Sequence, residues 1–580
     1  MPAGMISAAS LGFPTSLEGL TPRSLAVSTA SSEGIQIDSS ERETVRLFFQ
    51  TVYRASDKVA AKWTGDIATC RAGTVSANYQ TATIRRVNWY RAMAGLSASV
   101  VLDSEFSRKA QQAALMMSAN NTLSHTPPSS WNCYSVDGAA AAGKSNLSLG
   151  HAGAEAVMDQ VRDNGISNFV VGHRRWILYP QTERMGAGSV IPAGAEDRSA
   201  NALWVFDDNI WNPRPAVRDD FVAWPPPGYV PYQAVYPRWS FAYPDADFSR
   251  ATVSLSHHGK TIAVDREPNQ SGFGENTLVW IPRPYADGDT WNAPSADDTY
   301  QVNLKNVVVA GHARSFSYDV TVFDPAIKGD DSVTQQIAGP ATLTLGKSAT
   351  YTFNEIAQAD GYEWRQSKAT KYAKVNNAES GFGDFVATIS DGYSALDTTQ
   401  PISGSASYHL AHPEPVDQIL TLKKTVLVDW TTQLTFSSDL GWATPTQIAT
   451  VEISEGDGND WTVVWQQAPD DQSGAQTITL GDYAGKTVRI RFRYAYTGGT
   501  YYPQTEASVG WLIDDVKLIA AESLEVGAPR PTATASRFDF TPSRIGRAIL
   551  QVRPRLFNEF TGEWSLIKAV NVAASKPASL

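Results

Sequence analysis

The sequence predicts a multi-domain α+β chain, with helices gathered in the first third and β-sandwich modules behind them. Three observations carry this expectation. The 580 residues are enough for about three to five domains. Apolar residues recur at helical spacing between Glu41 and about Asp163, whereas after Met185 almost every apolar run alternates as a strand does. Beyond Ala223, short alternating runs are punctuated by Gly, Pro and Asn clusters, the pattern of sandwiches.

Composition excludes several classes. With 48 Lys+Arg against 59 Asp+Glu, spread without blocks, the net charge of −11 is wrong for a polybasic nucleic-acid or membrane-surface protein. The chain is 42% hydrophobic and 18% charged, too apolar for disorder and too weakly charged for a coiled coil. No apolar run reaches the ~18 residues of a transmembrane helix. Two cysteines exclude a disulfide scaffold and a zinc-ribbon array. No internal repeat is found, so solenoids and propellers are excluded.

Residues 1–40 read as a flexible Ser/Ala/Gly/Thr-rich segment without the cationic start and apolar core of a signal peptide. Either the protein is cytosolic or a leader is missing from this numbering. Low charge with abundant Gly, Pro, Trp, Ser, Thr and Asn favours an extracellular, secreted protein.

The first helix follows Glu41, with Val45, Phe48, Phe49 and Val52 in phase. A second carries Ile84, Val87, Tyr90 and Ala94. A third follows the N-cap Asp103 and aligns Phe106, Ala110, Ala113 and Met117. A fourth runs from about Ala154 to Asp163 and stops at Asn164-Gly165. Next, Ala251-Thr-Val-Ser-Leu, Thr261-Ile-Ala-Val, Val302-Asn-Leu and Phe316-Ser-Tyr-Asp-Val-Thr-Val predict an immunoglobulin- or fibronectin-like sandwich over 219–325. The strands Ala341-Thr-Leu-Thr-Leu, Ala349-Thr-Tyr-Thr-Phe and Tyr362-Glu-Trp-Arg begin another sandwich. Its closing strands arrive only at Ser536-Arg-Phe-Asp-Phe, Arg547-Ala-Ile-Leu-Gln-Val and Leu566-Ile-Lys-Ala-Val-Asn-Val. A discontinuous domain, 326–375 plus 530–575, is therefore expected to host an insertion at 376–522 with longer strands.

Of eight histidines, His257, His258, His312, His409 and His412 lie beside turn residues, without acidic or thiol partners at ligand spacing, and read as solvated loop histidines. His125, His151 and His173 fall in the helical third. No His-Glu-x-x-His helix, Gly-x-Ser-x-Gly elbow or phosphate-cradling Gly-rich loop accompanies them.

The run Val87-Asn-Trp-Tyr-Arg-Ala-Met-Ala-Gly-Leu, then Leu123-Ser-His125, Asn146-Leu147 and Gly172-His-Arg-Arg-Trp-Ile-Leu, followed by the Gly186-Ala-Gly188 turn, resembles in order the CAP superfamily of cysteine-rich secretory, antigen 5 and pathogenesis-related proteins. The resemblance covers roughly 80–215, and 41–218 if the preceding helix belongs to the domain. It implies an α-β-α sandwich with a cleft lined by two histidines and two acidic residues that can hold a divalent metal. Carried over by position, the cleft residues are His125, Ser145, Asp163 and His173, with Ser145 and Asp163 where the family has glutamates. His125, His173 and Asp163 would still make a three-ligand zinc site, but the carboxylate that would act as general base is missing. A metal-free polar cleft is the alternative. His151 or Glu155 would have to supply the lost group. A Ser124 or Ser145 nucleophile paired with a histidine lacks any strained turn or oxyanion motif. The few cysteines resemble the bacterial secreted type. In an exported chain Cys70 and Cys133 would pair; in a reducing cytosol they would be two small apolar residues.

The insertion, ending in Gly510-Trp-Leu-Ile-Asp-Asp-Val, resembles the jelly-roll (MAM-like) modules of secreted bacterial peptidases and adhesins. Asp514, Asp515 and the turn Glu455-Gly-Asp-Gly-Asn-Asp460 would supply oxygen ligands for calcium, or are plain acidic loops. Trp442, Trp461, Trp465 and Trp511 suggest a sugar-stacking platform, or a sandwich core.

The function these residues favour is a secreted, non-catalytic binding protein. Its cleft holds a metal or a lipid- or sterol-like ligand, and its β modules attach to glycans, envelope or partner proteins. The alternative is an extracellular metal-dependent peptidase or esterase using His125 and His173.

Overall fold

A computed structural model describes residues 34–57, 59–192, 198–327, 336–356, 359–456, 461–469, 473–532, 536–556 and 560–574. The segment expected to be flexible, 1–40, lies outside these up to residue 33. The chain divides into two compact units, Met1–Gly329 and Asp330–Leu580.

The first unit opens with α1 (Arg42–Phe48), continued by a π-turn through Tyr53, and then α2 (Ala77–Met93). The helical phase read from the sequence is the burial phase, for Val45, Phe48, Phe49, Val52, Val87 and Tyr90 are at most 3% exposed. After the short strand β1 (Val101–Leu102), the carboxylate of Asp103 accepts the backbone N–H groups of Glu105 and Phe106 and starts α3 (Ser104–Asn120). Then come α4 (Val136–Ala142), β2 (Ser145–Leu149), α5 (Gly153–Arg162), α6 (Gly172–Ile177), β3 (Arg184–Val190) and β4 (Ala200–Trp204).

The strands form one sheet in the order β1-β3-β4-β2, parallel only between β1 and β3. The helix α3 lies directly on β3 because Gly186 and Gly188 have no side chain. A Cβ at Gly188 would sit 2.2 Å from the Ala110 carbonyl carbon, and one at Gly186 2.5 Å from that of Phe106. Gln111, buried under the helix, donates to Ser189 O (2.7 Å) and accepts from Ser189 N (2.9 Å), stitching helix to strand. Cys70 and Cys133 are joined by a disulfide, which closes a loop of 63 residues and restricts the unfolded chain by about 4 kcal/mol in the loop-entropy model.

The rest of this unit is two facing sheets. One runs β10 (Val264–Arg266), β11 (Thr277–Pro282), β7 (Trp239–Ala242), β5 (Val222–Trp224). The other runs β6 (Gly228–Pro231), β13 (His312–Phe323), β12 (Asp298–Val309), β8 (Thr252–His257), β9 (Lys260–Ile262). Rings from both sheets interleave: Phe241 against Phe316 at 5.0 Å and Trp239 against Tyr300 at 5.9 Å.

Among the described residues the second unit is built of β-strands and one short 3-10 turn, Gly481–Tyr483, and its sheets are open. Strand 349–352 pairs with 537–540, 342–344 with 568–573, and the long strand Ala359–Lys371 with Gly546–Leu556. The early and late segments thus close one discontinuous sandwich around Tyr351, Trp364, Phe538 and Phe540. The insertion is not hung on linkers. Ala359–Lys371 pairs with the late strand Gly546–Leu556 along most of its length, and with Glu522–Val526 at its far end, so one sheet runs from host into insert. Facing it is a six-stranded sheet containing Gln433–Gly441 and Gly510–Ile519.

Two expectations are corrected here. His409 and His412 are not solvated: they are 2% and 0% exposed, and their Nε2 atoms meet the carbonyls of Val509 (2.7 Å) and Tyr494 (3.0 Å). A strand backbone in a sandwich offers carbonyls that a neutral imidazole can satisfy, a pairing invisible to local spacing. The four tryptophans do not make one platform either. Trp511 is fully buried and stacked on Trp465, and Trp461 lies under the Arg489 and Arg491 guanidinium groups. Trp442 alone of the four is strongly exposed, at 67%.

Candidate functional site

The site is built where α5 ends. Helix α5 stops one residue earlier than expected: Asp163 itself adopts the left-handed conformation (φ +54) that ends a helix, not the Asn164-Gly165 pair. That turn swings its carboxylate away from the helix face and onto the start of α6. Oδ2 accepts the backbone N–H groups of His173 (2.9 Å) and Arg174 (3.3 Å), and Oδ1 accepts Nδ1–H of the His173 ring (2.7 Å). Asp163 is completely buried. Its carboxylate therefore caps a helix and fixes a histidine, and does not stand beside His173 as a fellow ligand. The expected His125/His173/Asp163 ligand set is corrected accordingly: among the described residues these three do not bring their donor atoms within 4.8 Å of one another.

His125 lies beyond α3. Its Nδ1 is 2.8 Å from the Ala142 carbonyl at the end of α4, and since a carbonyl only accepts, Nδ1 carries the proton. The same logic applies to His173 against Asp163. Both rings are thus fixed through Nδ1, and Nε2 is the nitrogen left to a ligand, the arrangement by which an outer hydrogen bond orients a metal-binding imidazole. The backbone carbonyl of His173 is held in turn by the Asn146 side chain (2.9 Å) on β2.

The two imidazoles titrate in opposite directions. Burial drives His125 down to about 4, the Ala142 hydrogen bond opposing and the charge of nearby His173 adding. Burial also opposes a charged His173, but the Asp163 carboxylate, with Asp159 behind it, outweighs burial and holds the ring above its ordinary value.

Asp159 is the residue that sequence reasoning missed. It lies one helical turn before Asp163 on α5, within electrostatic reach of His151, Asp163 and His173, and burial raises its pKa. It was hidden because only Asp163 matched the family's position, while the partners that bring Asp159 near His173 come from the fold and not from a motif. Glu155 stands 3.0 Å from His151 Nδ1, an ion-pair distance that makes no hydrogen bond, and both side chains are largely exposed. Ser145 is 3% exposed and its hydroxyl has no hydrogen-bond partner among the described residues. Neither Ser124 nor Ser145 hydrogen-bonds a histidine there, so no Ser-His nucleophile is assembled.

Behind the site stand buried arginines that bind carbonyls. Arg174 donates to Val161 O (2.6 Å), Arg162 O (3.2 Å), and, across to the sandwich, Arg238 O (2.8 Å) and the Ser240 hydroxyl (3.0 Å). Arg175 reaches the carbonyls of Gln270 and Glu275. From the sandwich side Arg238 donates to the carbonyls of Asp163 (2.9 Å) and Gly165 (3.1 Å) and pairs with Asp287 (3.1 Å). A narrow cavity lined by Arg174, Arg175, Tyr179, Ser240 and Glu275 runs along this seam.

In the second unit the aspartates suggested as calcium ligands serve a loop. Asp514 is wholly buried and accepts from Ser403 N and Oγ, Ser407 Oγ and Asp515 N. Glu455 pairs with Lys486 at 3.0 Å, and residues 457–460 of the acidic turn lie outside the described residues.

Residues 84–206 match the model of the CAP, or cysteine-rich secretory protein, family, so a CAP domain occupies this part of the first unit. Among solved structures, a carbohydrate-binding module of the β-sandwich superfamily aligns at 13% identity over 49% of this chain and 91% of its own, with a TM-score of 0.16. A two-domain protein of unknown function from Bacteroides fragilis aligns at 11% identity over 49% and 83%, with a TM-score of 0.14. At such scores neither bears on fold or ligand. Comparison with curated proteins gave no match. No helix among the described residues is long and apolar enough to cross a membrane.

His125 makes the first unit acid-sensitive. Unfolded, it takes a proton near pH 6.5; folded, only near 4. As pH falls through that window the unfolded state gains the proton first, so stability present above pH 6.5 is lost, by about 3 kcal/mol at most. His125→Asn, whose amide can keep the Ala142 bond, should flatten the melting profile of this transition between pH 6.5 and 4, measured by calorimetry.

Proposed function

We propose that the chain is an exported binding protein whose CAP domain holds a divalent metal ion between His125 and His173, and whose second unit attaches it to surface glycans. The observation that supports the metal is the fixing of both rings through Nδ1, which leaves the two Nε2 lone pairs for a ligand once His173 is neutral. The partnerless Ser145 hydroxyl is a further polar group that a ligand or its water would satisfy. His125 and His173 would hold the ion, with Asp159 as the carboxylate in electrostatic reach, and the bound ion would supply Lewis acidity there. This polar, charge-balanced surround favours an ion over a lipid or sterol. The disulfide and the family both favour an oxidising, extracellular setting.

Binding without turnover is the first reading because Asp163, the carboxylate nearest His173, already accepts three hydrogen bonds and has no role left as a base. Asp159 favours a second reading, metal-dependent hydrolysis of a peptide or ester, in which that carboxylate, raised by burial, would be the general base.

Glycan attachment rests on Trp442. It is 67% exposed, is presented by a left-handed turn (φ +42) at the end of strand Gln433–Gly441, and has Tyr502 edge-on at 5.9 Å. An exposed indole face with a second ring beside it is the surface on which a pyranose stacks.

Calorimetric titration with Zn²⁺ should show one equivalent lost in the His125→Ala/His173→Ala variant, and weaker binding as pH falls and His173 gains its proton. Identical titrations of variant and wild type would sink the metal reading. Turnover of a peptide or ester that disappears with Asp159→Asn would move the assignment to hydrolase. Trp442→Ala should weaken retention on insoluble polysaccharide at least fivefold, about 1 kcal/mol, with an unchanged melt; equal retention removes the glycan arm.

A further inference from the structure

A separate cluster of two histidines and an aspartate stands on the first unit's sandwich. The hairpin from β8 into β9 turns through His258 and Gly259, both left-handed (φ +47 and +73), as a two-residue turn matching the strand twist requires. That turn places consecutive histidines at the end of a strand. His257 is the register partner of Tyr300 on β12, and Asp298, two residues earlier, shares its face of the sheet.

The three side chains meet. His257 Nε2 hydrogen-bonds Asp298 Oδ1, and His258 Nε2 lies 3.3 Å from that same oxygen. Tyr300 stacks on the His257 ring (4.4 Å, 9°) and donates its hydroxyl to the other carboxylate oxygen, Oδ2, at 3.1 Å. Among the described residues this is the group of three His, Cys, Asp or Glu side chains whose donor atoms all lie within 4.8 Å of one another. It is reachable from solvent, with side chains 27%, 73% and 23% exposed. The expectation that these histidines have no acidic partner is overturned, because the partner comes from a strand about forty residues away in sequence.

We propose that His257, His258 and Asp298 bind a zinc-class transition-metal dication. Two imidazole nitrogens and one carboxylate oxygen suit zinc, and are too few oxygens for calcium or magnesium. Tetrahedral bonds of about 2 Å separate neighbouring donors by about 3.3 Å, the spacing of His258 Nε2 from Asp298 Oδ1. On binding, the ion takes the place of the proton between His257 Nε2 and Asp298: a neutral His257 carries that proton on Nδ1 instead, a protonated one releases it to solvent, and in either case both imidazoles bind neutral and the carboxylate ionised. Tyr300 keeps Asp298 oriented as an outer partner. The fourth position is left to water.

The test is Zn²⁺ titration of the chelator-stripped full chain by calorimetry, with melts on every variant. His257→Ala/His258→Ala should lose one equivalent, and His258→Ala, at a largely exposed position, should bind that equivalent at least tenfold more weakly with an unchanged melt. Co²⁺ bound to wild type but not to the double variant should give the intense visible absorption of a four-coordinate site. His125→Ala/His173→Ala should retain this equivalent, which separates this site from the CAP-domain pair. A zinc titration that does not change on removing both His257 and His258, or no zinc binding by wild type, would overturn the proposal and leave the triad a simple His-Asp hydrogen-bond cluster.

Discussion

The first unit depends on how Asp163 is satisfied at both ends. A fully buried carboxylate is costly unless every lone pair is used. Here the side chain takes two backbone N–H groups at the start of α6 and the Nδ1–H of His173, while its backbone carbonyl takes a guanidinium hydrogen from Arg238 of the following sandwich. The left-handed backbone at residue 163 makes this possible by turning carboxylate and carbonyl to different neighbours. Helix end, His173 and domain seam are thus held through one residue.

The buried arginines extend that constraint. Arg91, Arg174 and Arg175 are almost without exposure and are satisfied mainly by carbonyls; burial lowers each below its ordinary value. Carbonyls can only accept, and a loop end has several unused ones, so a guanidinium with five fixed donors can gather a loop that has no regular structure. Arg91 does this with the carbonyls of Ile177, Tyr179, Pro180 and Thr182. Arg174 and Arg175 do it across the seam, so CAP domain and sandwich are joined by hydrogen bonds that neither half could satisfy alone. The position of His173 is then a property of both.

The fold was legible where periodicity and punctuation are strong. Asp103 as a cap, the burial phase of α3, and the late closing strands of the discontinuous sandwich follow from spacing alone. The site was legible only in part. Family position named His125 and His173, but the role of Asp163 turned on one left-handed residue, and a shift of a single residue at a helix end changes what a side chain can touch. Asp159 was unread because it matched no motif position. The pairing of Asp298 with His257 and His258, like the carbonyls that satisfy His409 and His412, depends on strand register, which local sequence does not state.

The claim most open to test is that the sandwich sets the chemistry of the CAP-domain histidine through Asp163. The direct measurement is the imidazole ¹⁵N spectrum of His173 as a function of pH, in histidine-labelled wild type and in Arg238→Met. Arg238 hydrogen-bonds the carbonyl of Asp163 and not the ring. Control of His173 through Asp163 predicts that the variant stays folded, the His173 pKa falls, and the ring loses its single Nδ1–H tautomer. A His173 that keeps both its raised pKa and its tautomer without Arg238 would contradict it.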